Sequence, residues 1–358
     1  MSMEPAVARA AALQGAGRYE ESKAELAPHL AEQPDDEFAW QVLAVAHEKL
    51  GEYELAERAA AEMLRLTPGH VGGLILLSRV LLCLGRRSEA RAAAEEAVHR
   101  SPGVWTSHYA LSEVLVAYAA APPADHERAY EAALEAVRLA PQEADTHMAL
   151  CFTAVRTQRQ DVAKRALVEW LRLDPSNQTA QAMYTDAMAD APAVTASQAA
   201  DMYSEGLAGA PQSAMLRRGL DHATYRLLRG TRWLALGCLA AAGVMIDLFP
   251  TAKHPTLREL PVPLGNRLWV LVVMAAIWGF GALLRYQRMR TGVRLNIRSL
   301  VRRGRWARIV VGQAVCTVLC ALLISQIPWT DRSVPTVLFW AGLAVPLSTM
   351  VYDRRKTG

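Results

Sequence analysis

The stretch that decides the fold is Glu37–His70, which reads EFAWQVLAVAHEKLGEYELAERAAAEMLRLTPGH. Its side chains recur at helical spacing in two runs, the first Trp40, Leu43, Ala44 and His47, the second Ala56, Ala60, Met63 and Leu64. The segment Leu50–Tyr53 separates the runs, and Thr67 and Pro68 end the second one. This pattern predicts two amphipathic helices joined by a glycine turn, with small side chains where the helices approach each other.

The same unit returns along the first half of the chain at a period close to 34 residues. Three columns move in register: Pro34, Pro68, Pro102, Pro141, Pro175 and Pro211; Ala56, Ala90, Ala129, Ala163 and Ala199; and Gly17, Gly51 and Gly85. In the first two columns the spacing widens at the same place, where the sequence has an insertion around residues 121–125. A single helix pair cannot bury both of its faces, so such pairs stack and are stabilised by their neighbours.

The repeated unit resembles a tetratricopeptide repeat (TPR). The residues that match the family pattern Trp-Leu-Gly/Ala-Gly-Tyr-Ala-Pro are Trp40, Leu43, Ala44, Gly51, Tyr53, Ala56 and Pro68. Weaker copies cover residues 3–36, 71–104, 105–143 and 144–177, and a sixth at 178–212 has lost most of the pattern and contains Pro192. The resemblance implies an all-α fold, a TPR-type right-handed helical superhelix of five to six repeats over residues 1–212.

The resemblance also implies a concave groove, lined by the first helix of each repeat, that binds a partner peptide or helix. The positions that carry over are Gln41, Val45, Ile75, Arg79, Tyr109, Glu113, Met148 and Phe152. Some members of the family clamp a C-terminal carboxylate with Lys, Asn and Arg in this region. Here the region holds Val7, Gln41, Val45 and Ile75, so we do not expect such a clamp. An apolar groove with one Arg and one Glu suits an amphipathic helix or an extended apolar segment. The alternative is that these side chains pack between repeats.

The second half of the chain has the composition of a membrane region. Residues 1–229 contain 22 Lys and Arg against 31 Asp and Glu, whereas residues 230–358 contain 17 against 4. Apolar segments at 233–249, 268–284, 306–328 and 334–352 approach or exceed the length of about 20 residues that a helix needs to cross a bilayer. We therefore predict a basic helical linker at 213–232 and a four-helix transmembrane region at 233–358.

The basic residues predict the orientation of this region. They precede the first span, separate the second from the third and follow the fourth, whereas the opposite loops carry few. Because Lys and Arg favour the cytoplasmic side, both termini and the repeats are expected in the cytoplasm, at a plasma (inner) membrane.

The loop between the second and third spans carries nine arginines and no acidic residue: Arg285, Arg288, Arg290, Arg294, Arg298, Arg302, Arg303, Arg305 and Arg308. Val293, Ile297, Leu300 and Val301 fall on one helical face, so we expect a short helix lying in the membrane interface and held by anionic lipid. The loop lacks interleaved stacking aromatics, which argues against nucleic-acid binding.

No catalytic or metal-binding motif occurs in the sequence. His108 and His147 occupy equivalent places in consecutive repeats, but they stand where Trp40 stands, so we expect them to pack in the core or groove. We predict no cofactor, no metal site and no enzymatic activity.

The sequence thus predicts a membrane-anchored adaptor that binds a protein partner in the groove of a cytoplasmic TPR domain. The alternative is a membrane-embedded transporter or enzyme subunit that the TPR domain regulates. A third possibility is a homo-oligomer with the repeats as its contact surface.

Overall fold

The computed structural model describes residues 4–117, 121–248, 260–283, 286–287 and 289–357. Within these ranges the chain forms 17 α-helices and no strand. The helices belong to two compact units, Met1–Ala180 and Gln181–Gly358.

The first unit is built from five consecutive helix pairs. Its helices are α1 (Pro5–Gly15), α2 (Tyr19–Glu32), α3 (Glu37–Leu50), α4 (Tyr53–Leu66), α5 (Val71–Cys83), α6 (Arg87–Arg100), α7 (Trp105–Val116), α8 (Pro123–Leu139), α9 (Ala144–Arg156) and α10 (Gln160–Leu173). Each odd-numbered helix packs against the even-numbered helix that follows it, and the odd-numbered helices also contact one another in order. The predicted TPR-type architecture of this part is confirmed.

The pair α3–α4 shows why the sequence folds in this way. Gly51 has a φ of 77° and ends α3 in the left-handed region, where a residue without a Cβ is not strained. Ala44 and Ala56 are fully buried, as close contact between the helices requires. The helix pair predicted over Glu37–His70 therefore forms with its glycine turn in place.

The second unit contains longer helices. Helix α11 (Gln178–Ala189) crosses the division after Ala180. The helices that lie wholly in the second unit are α12 (Ala196–Gly209), α13 (Ala214–Met245), α14 (Leu264–Trp278), α15 (Thr291–Arg303), α16 (Arg305–Gln326) and α17 (Ser333–Thr357). A π-helical segment, Gly279–Leu283, follows α14.

Two boundaries differ from those predicted. The units divide after Ala180 and not near residue 212, because α12 packs against α13 and α15 and shares a buried cluster with them that includes Tyr203, Leu216 and Val293. The predicted linker at 213–232 is not a separate element, since α13 continues through it without a break into the first predicted span.

Within the part of the chain that the structure describes, three helical segments are long and apolar enough to cross a membrane: Leu264–Gly281, Arg305–Gln326 and Ser333–Met350. They correspond to the second, third and fourth predicted spans. The first predicted span, 233–249, is not among them, because the apolar part of α13 ends with the helix at Met245 and residue 249 lies outside the described residues. This part of α13 packs with α14 and α16 around Leu239, Ala321 and Ile324, and its crossing of a membrane stays a prediction.

Candidate functional site

The eight predicted groove residues lie on the four neighbouring helices α3, α5, α7 and α9. Each helix carries two of them, one turn apart, and all eight remain partly exposed, with Phe152 at 37%. A side chain buried between repeats would be covered from solvent, so these residues form a surface on one side of the helix pairs. We call this surface the inner face. That it contacts a partner stays a prediction.

An ion pair joins two helices of the inner face. Arg79 on α5 donates from Nε to Oε1 of Glu48 on α3 over 2.9 Å, and its second nitrogen reaches the other carboxylate oxygen. Arg79 was expected in the groove, but Glu48 was not. Glu48 lies one turn beyond Val45, and a helical-spacing argument extended along α3 could have found it.

Two further carboxylates on the inner face have no ion-pair partner among the described residues. Glu113 on α7 has a pKa above its ordinary value, because burial raises it, against the effect of the nearby Arg79 charge and with that of Glu48 and Asp145. Its Oε2 atom is covered and accepts no hydrogen bond. Asp145 at the start of α9 is exposed, and the sequence analysis did not identify it. Because Arg79 is paired with Glu48, the carboxylates of Glu113 and Asp145 leave an excess of negative charge on this part of the inner face.

Aromatic side chains lie on the same two helices as these carboxylates. Phe152 lies edge-on to Trp170 of α10, with ring centroids 5.8 Å apart, and Trp170 is almost fully buried. Tyr109 lies edge-on to Trp105 at 6.1 Å, and burial raises the pKa of its hydroxyl. The rings of Phe152 and Tyr109 therefore each pack against a second ring, which favours a fixed orientation of the ring on the inner face.

The histidines His108 and His147 have a shared structural role. Each ring donates from Nε2 to the carbonyl oxygen of the proline six residues earlier, over 2.8 and 2.9 Å, as Trp40 does from Nε1 to Pro34 over 2.8 Å. Arg217 on α13 donates to Pro211 in the same way over 3.0 Å. The position is thus a hydrogen-bond donor to the turn, and no group of three or more potential metal ligands occurs among the described residues.

The predicted short helix of the basic loop is present as α15, and its predicted apolar face packs on protein. Val293 is 1% exposed and packs against α12 and α13, while Leu300 and Val301 pack against α13 and α16. This corrects the expectation that the face is buried in the membrane interface. Amphipathic spacing shows which face is covered and not what covers it.

The arginines of the loop are distributed over the remaining surface. Arg285 and Arg288 lie outside the described residues, and the exposed ones are Arg290, Arg298, Arg302, Arg303, Arg305 and Arg308. Arg290 pairs with Glu205 at 2.8 Å and Arg303 approaches Asp221 at 3.6 Å, whereas Arg294 donates to the Gln287 carbonyl. Their contact with anionic lipid stays a prediction.

Comparison of the chain with known proteins identifies similar folds among solved structures. PilW, a widely conserved type IV pilus biogenesis factor, is 16% identical over 60% of this chain and 96% of its own, with a TM-score of 0.51. The Cut9–Hcn1 hetero-tetramer of the APC/C is 18% identical over 61% of this chain and 42% of its own, with a TM-score of 0.53. A thermophilic TPR protein of Thermus thermophilus is 21% identical over 51% of this chain and 97% of its own, with a TM-score of 0.46.

The likenesses to PilW and to Cut9–Hcn1, both with TM-scores above 0.5, agree with the all-α, TPR-type fold of the chain. No protein-family profile and no curated protein matches the sequence. Because this fold hosts many functions, the features that bear on the function of this chain are its inner face and its apolar helices.

Proposed function

We propose that the protein is a membrane-anchored scaffold that binds a protein partner on the inner face of its TPR-type unit. The observation that carries the proposal is the unbroken series of partly exposed side chains on α3, α5, α7 and α9, two on each helix. An extended surface of this kind suits a peptide or helix, because successive helices offer contacts along the length of the partner.

The anchor is the second unit. The segments Leu264–Gly281, Arg305–Gln326 and Ser333–Met350 satisfy the length and hydropathy requirements of membrane helices, and large apolar side chains such as Trp269 and Val337 are exposed on them at 66% and 68%. In a bilayer these surfaces contact lipid, which removes the cost of exposing them to water.

The outward side of α15 adds an electrostatic contact to the anchor. Its apolar residues pack on protein, Arg298 and Arg302 are exposed on it, and the exposed Arg305 is the first residue of the apolar helix α16 that follows. Anionic headgroups at this level attract such groups by about 1 kcal/mol per arginine.

The binding proposal is tested by photo-crosslinking in native membranes. A photoreactive amino acid is placed at Tyr109 on the inner face or, as a control, at Leu134, which is 40% exposed on α8. We expect a discrete adduct from position 109 and none from 134. The absence of an adduct at 109, or equal labelling at 134, contradicts the proposal, and an adduct of twice the chain mass identifies a second copy as the partner.

A further inference from the structure

The inner face changes in chemical character along its length. On α3, Gln41 and Val45 are neutral, Glu48 is paired with Arg79 of α5, and Lys49 is exposed. On α7 and α9 the carboxylates of Glu113 and Asp145 are unpaired, and Met148 and Phe152 follow beside them on α9. Glu113 and Phe152 occupy equivalent positions of consecutive repeats, so a segment that crosses α7 and α9 meets an acidic patch and then an aromatic ring.

The charge balance of this region identifies what can cover it. An ionised carboxylate that loses water must gain an opposite charge or hydrogen-bond donors, since an unpaired buried charge is costly. Two positive groups act on Glu113, and of these Arg79 already forms a two-nitrogen contact with Glu48, while Lys49 is exposed to solvent on α3. An acidic or purely apolar partner would therefore bury Glu113 and Asp145 at a net cost, whereas a cationic side chain would supply the missing donors.

The aromatic rings of this region favour a guanidinium group over an ammonium group. Tyr109 lies one turn before Glu113 on α7, and Phe152 is fixed by its contact with the buried Trp170. A guanidinium group is planar, stacks on aromatic faces and donates two parallel hydrogen bonds to a carboxylate, whereas an ammonium group is a compact, strongly hydrated charge. The site thus offers Arg a carboxylate and a ring at the same time.

We propose that the α7–α9 part of the inner face binds a peptide segment that presents an arginine next to an apolar side chain, with the guanidinium group between Glu113 and Asp145 and the apolar group against Phe152. This inference rests on the proposed function, and names the chemistry of the partner.

The test uses the full chain in detergent and a random 12-residue peptide library displayed on phage. Enriched peptides are synthesised and their dissociation constants measured by fluorescence anisotropy, each beside a version with Arg replaced by Gln and one with Arg replaced by Lys. We expect Arg next to an apolar residue to be enriched, a loss of affinity of about tenfold or more for the Gln version, and a smaller loss for the Lys version.

Matched protein variants locate the contact. Glu113→Gln and Asp145→Asn should each weaken binding about tenfold, whereas Glu131→Gln, the same change at an exposed position of α8, should leave it unchanged. Glu113→Arg should redirect the selection to acidic peptides, and a circular dichroism spectrum identical to that of the wild type shows that each variant is folded.

The outcomes separate the two proposals. Peptides that lose binding with Phe152→Ala but are indifferent to Glu113→Gln and Asp145→Asn would show a binding groove without the arginine site, and only the present inference would be overturned. If the wild-type chain enriches no peptide, the proposed function fails together with it.

Discussion

At the scale of single residues, Glu113 connects stability with binding. Its carboxyl group is partly buried on α7 without an ion-pair partner, and burial raises its pKa above 4.5. A group whose pKa is raised in the folded state favours folding while it is protonated, and this contribution is lost as the pH rises through the folded-state pKa. The charges that face Glu113 from the packed helices are Glu48 and Lys49 of α3, Arg79 of α5 and Asp145 of α9.

We therefore expect Glu113→Gln to stabilise the protein at neutral pH by about 1 kcal/mol, because the neutral amide removes the unpaired charge that burial penalises. The gain should shrink as the pH falls toward 4.5, where the wild-type carboxyl group becomes protonated. Thermal melts followed by circular dichroism at about pH 7.5 and 4.5 measure the difference in stability between the variant and the wild type, with Glu131→Gln as the exposed control. A gain that is equal at both pH values would contradict this account.

Gln158 occupies the place that glycine holds in earlier repeats. It precedes Pro175 by the same interval that separates Gly51 from Pro68, and its φ of 60° lies in the left-handed region. A residue with a Cβ is strained there by about 1–2 kcal/mol, and glycine would relieve this strain. Part of that gain is offset because glycine has greater conformational freedom in the unfolded chain.

Replacing Gln158 by Gly should raise the free energy of unfolding by about 0.5 to 1 kcal/mol. The matched control is Gln160→Gly at the first residue of α10. Glycine weakens a helix, so this substitution should lower the free energy of unfolding by about the same amount. Denaturant unfolding of the two variants measures both changes. If both substitutions destabilise to the same extent, residue 158 is not strained.

At the scale of elements, the repeat pattern identified the helix pairs, and the amphipathic pattern identified the buried face of α15. Both rest on local spacing, which the sequence contains in full. Glu48 and Asp145 were not predicted, because their importance arises from side chains on neighbouring helices. Helix α13 was predicted as a linker and a span, because charge changes along this helix while its backbone continues.

The packing of α15 gives the prediction at this scale. Val293 is 1% exposed against α12 and α13, whereas Leu295 on the same helix is 59% exposed. Val293→Asp places an unpaired charge in an apolar contact and should release α15 from the protein. Trypsin cleavage after its arginines should then become about tenfold faster or more, because cleavage follows the population of the open form.

Leu295→Asp introduces the same charge on the exposed side of α15 and should leave the cleavage rate unchanged. Limited proteolysis of the full chain in detergent, followed by mass spectrometry of the fragments, compares the two variants. Equal acceleration by both would show that α15 is not held by its Val293 face.

At the scale of the whole molecule, the number of membrane crossings decides on which side the end of α17 lies. The segments Leu264–Gly281, Arg305–Gln326 and Ser333–Met350 are long and apolar enough for three crossings, and the apolar end of α13 would supply a fourth. With the repeats in the cytoplasm, four crossings return Gly358 to the cytoplasm, whereas three leave it outside. The arginines between the second and third predicted spans favour the cytoplasm for that loop, and hence four crossings.

Reporter fusions after Pro261, Thr330 and Gly358 test this topology. We expect alkaline phosphatase, which is active only outside the cytoplasm, to be active after Pro261 and Thr330, and green fluorescent protein to fluoresce after Gly358. The fusion after Pro261 isolates the contribution of α13, because no other predicted span precedes it. An inactive phosphatase there, together with an external Gly358, would mean that α13 ends at the membrane surface and that the protein crosses three times.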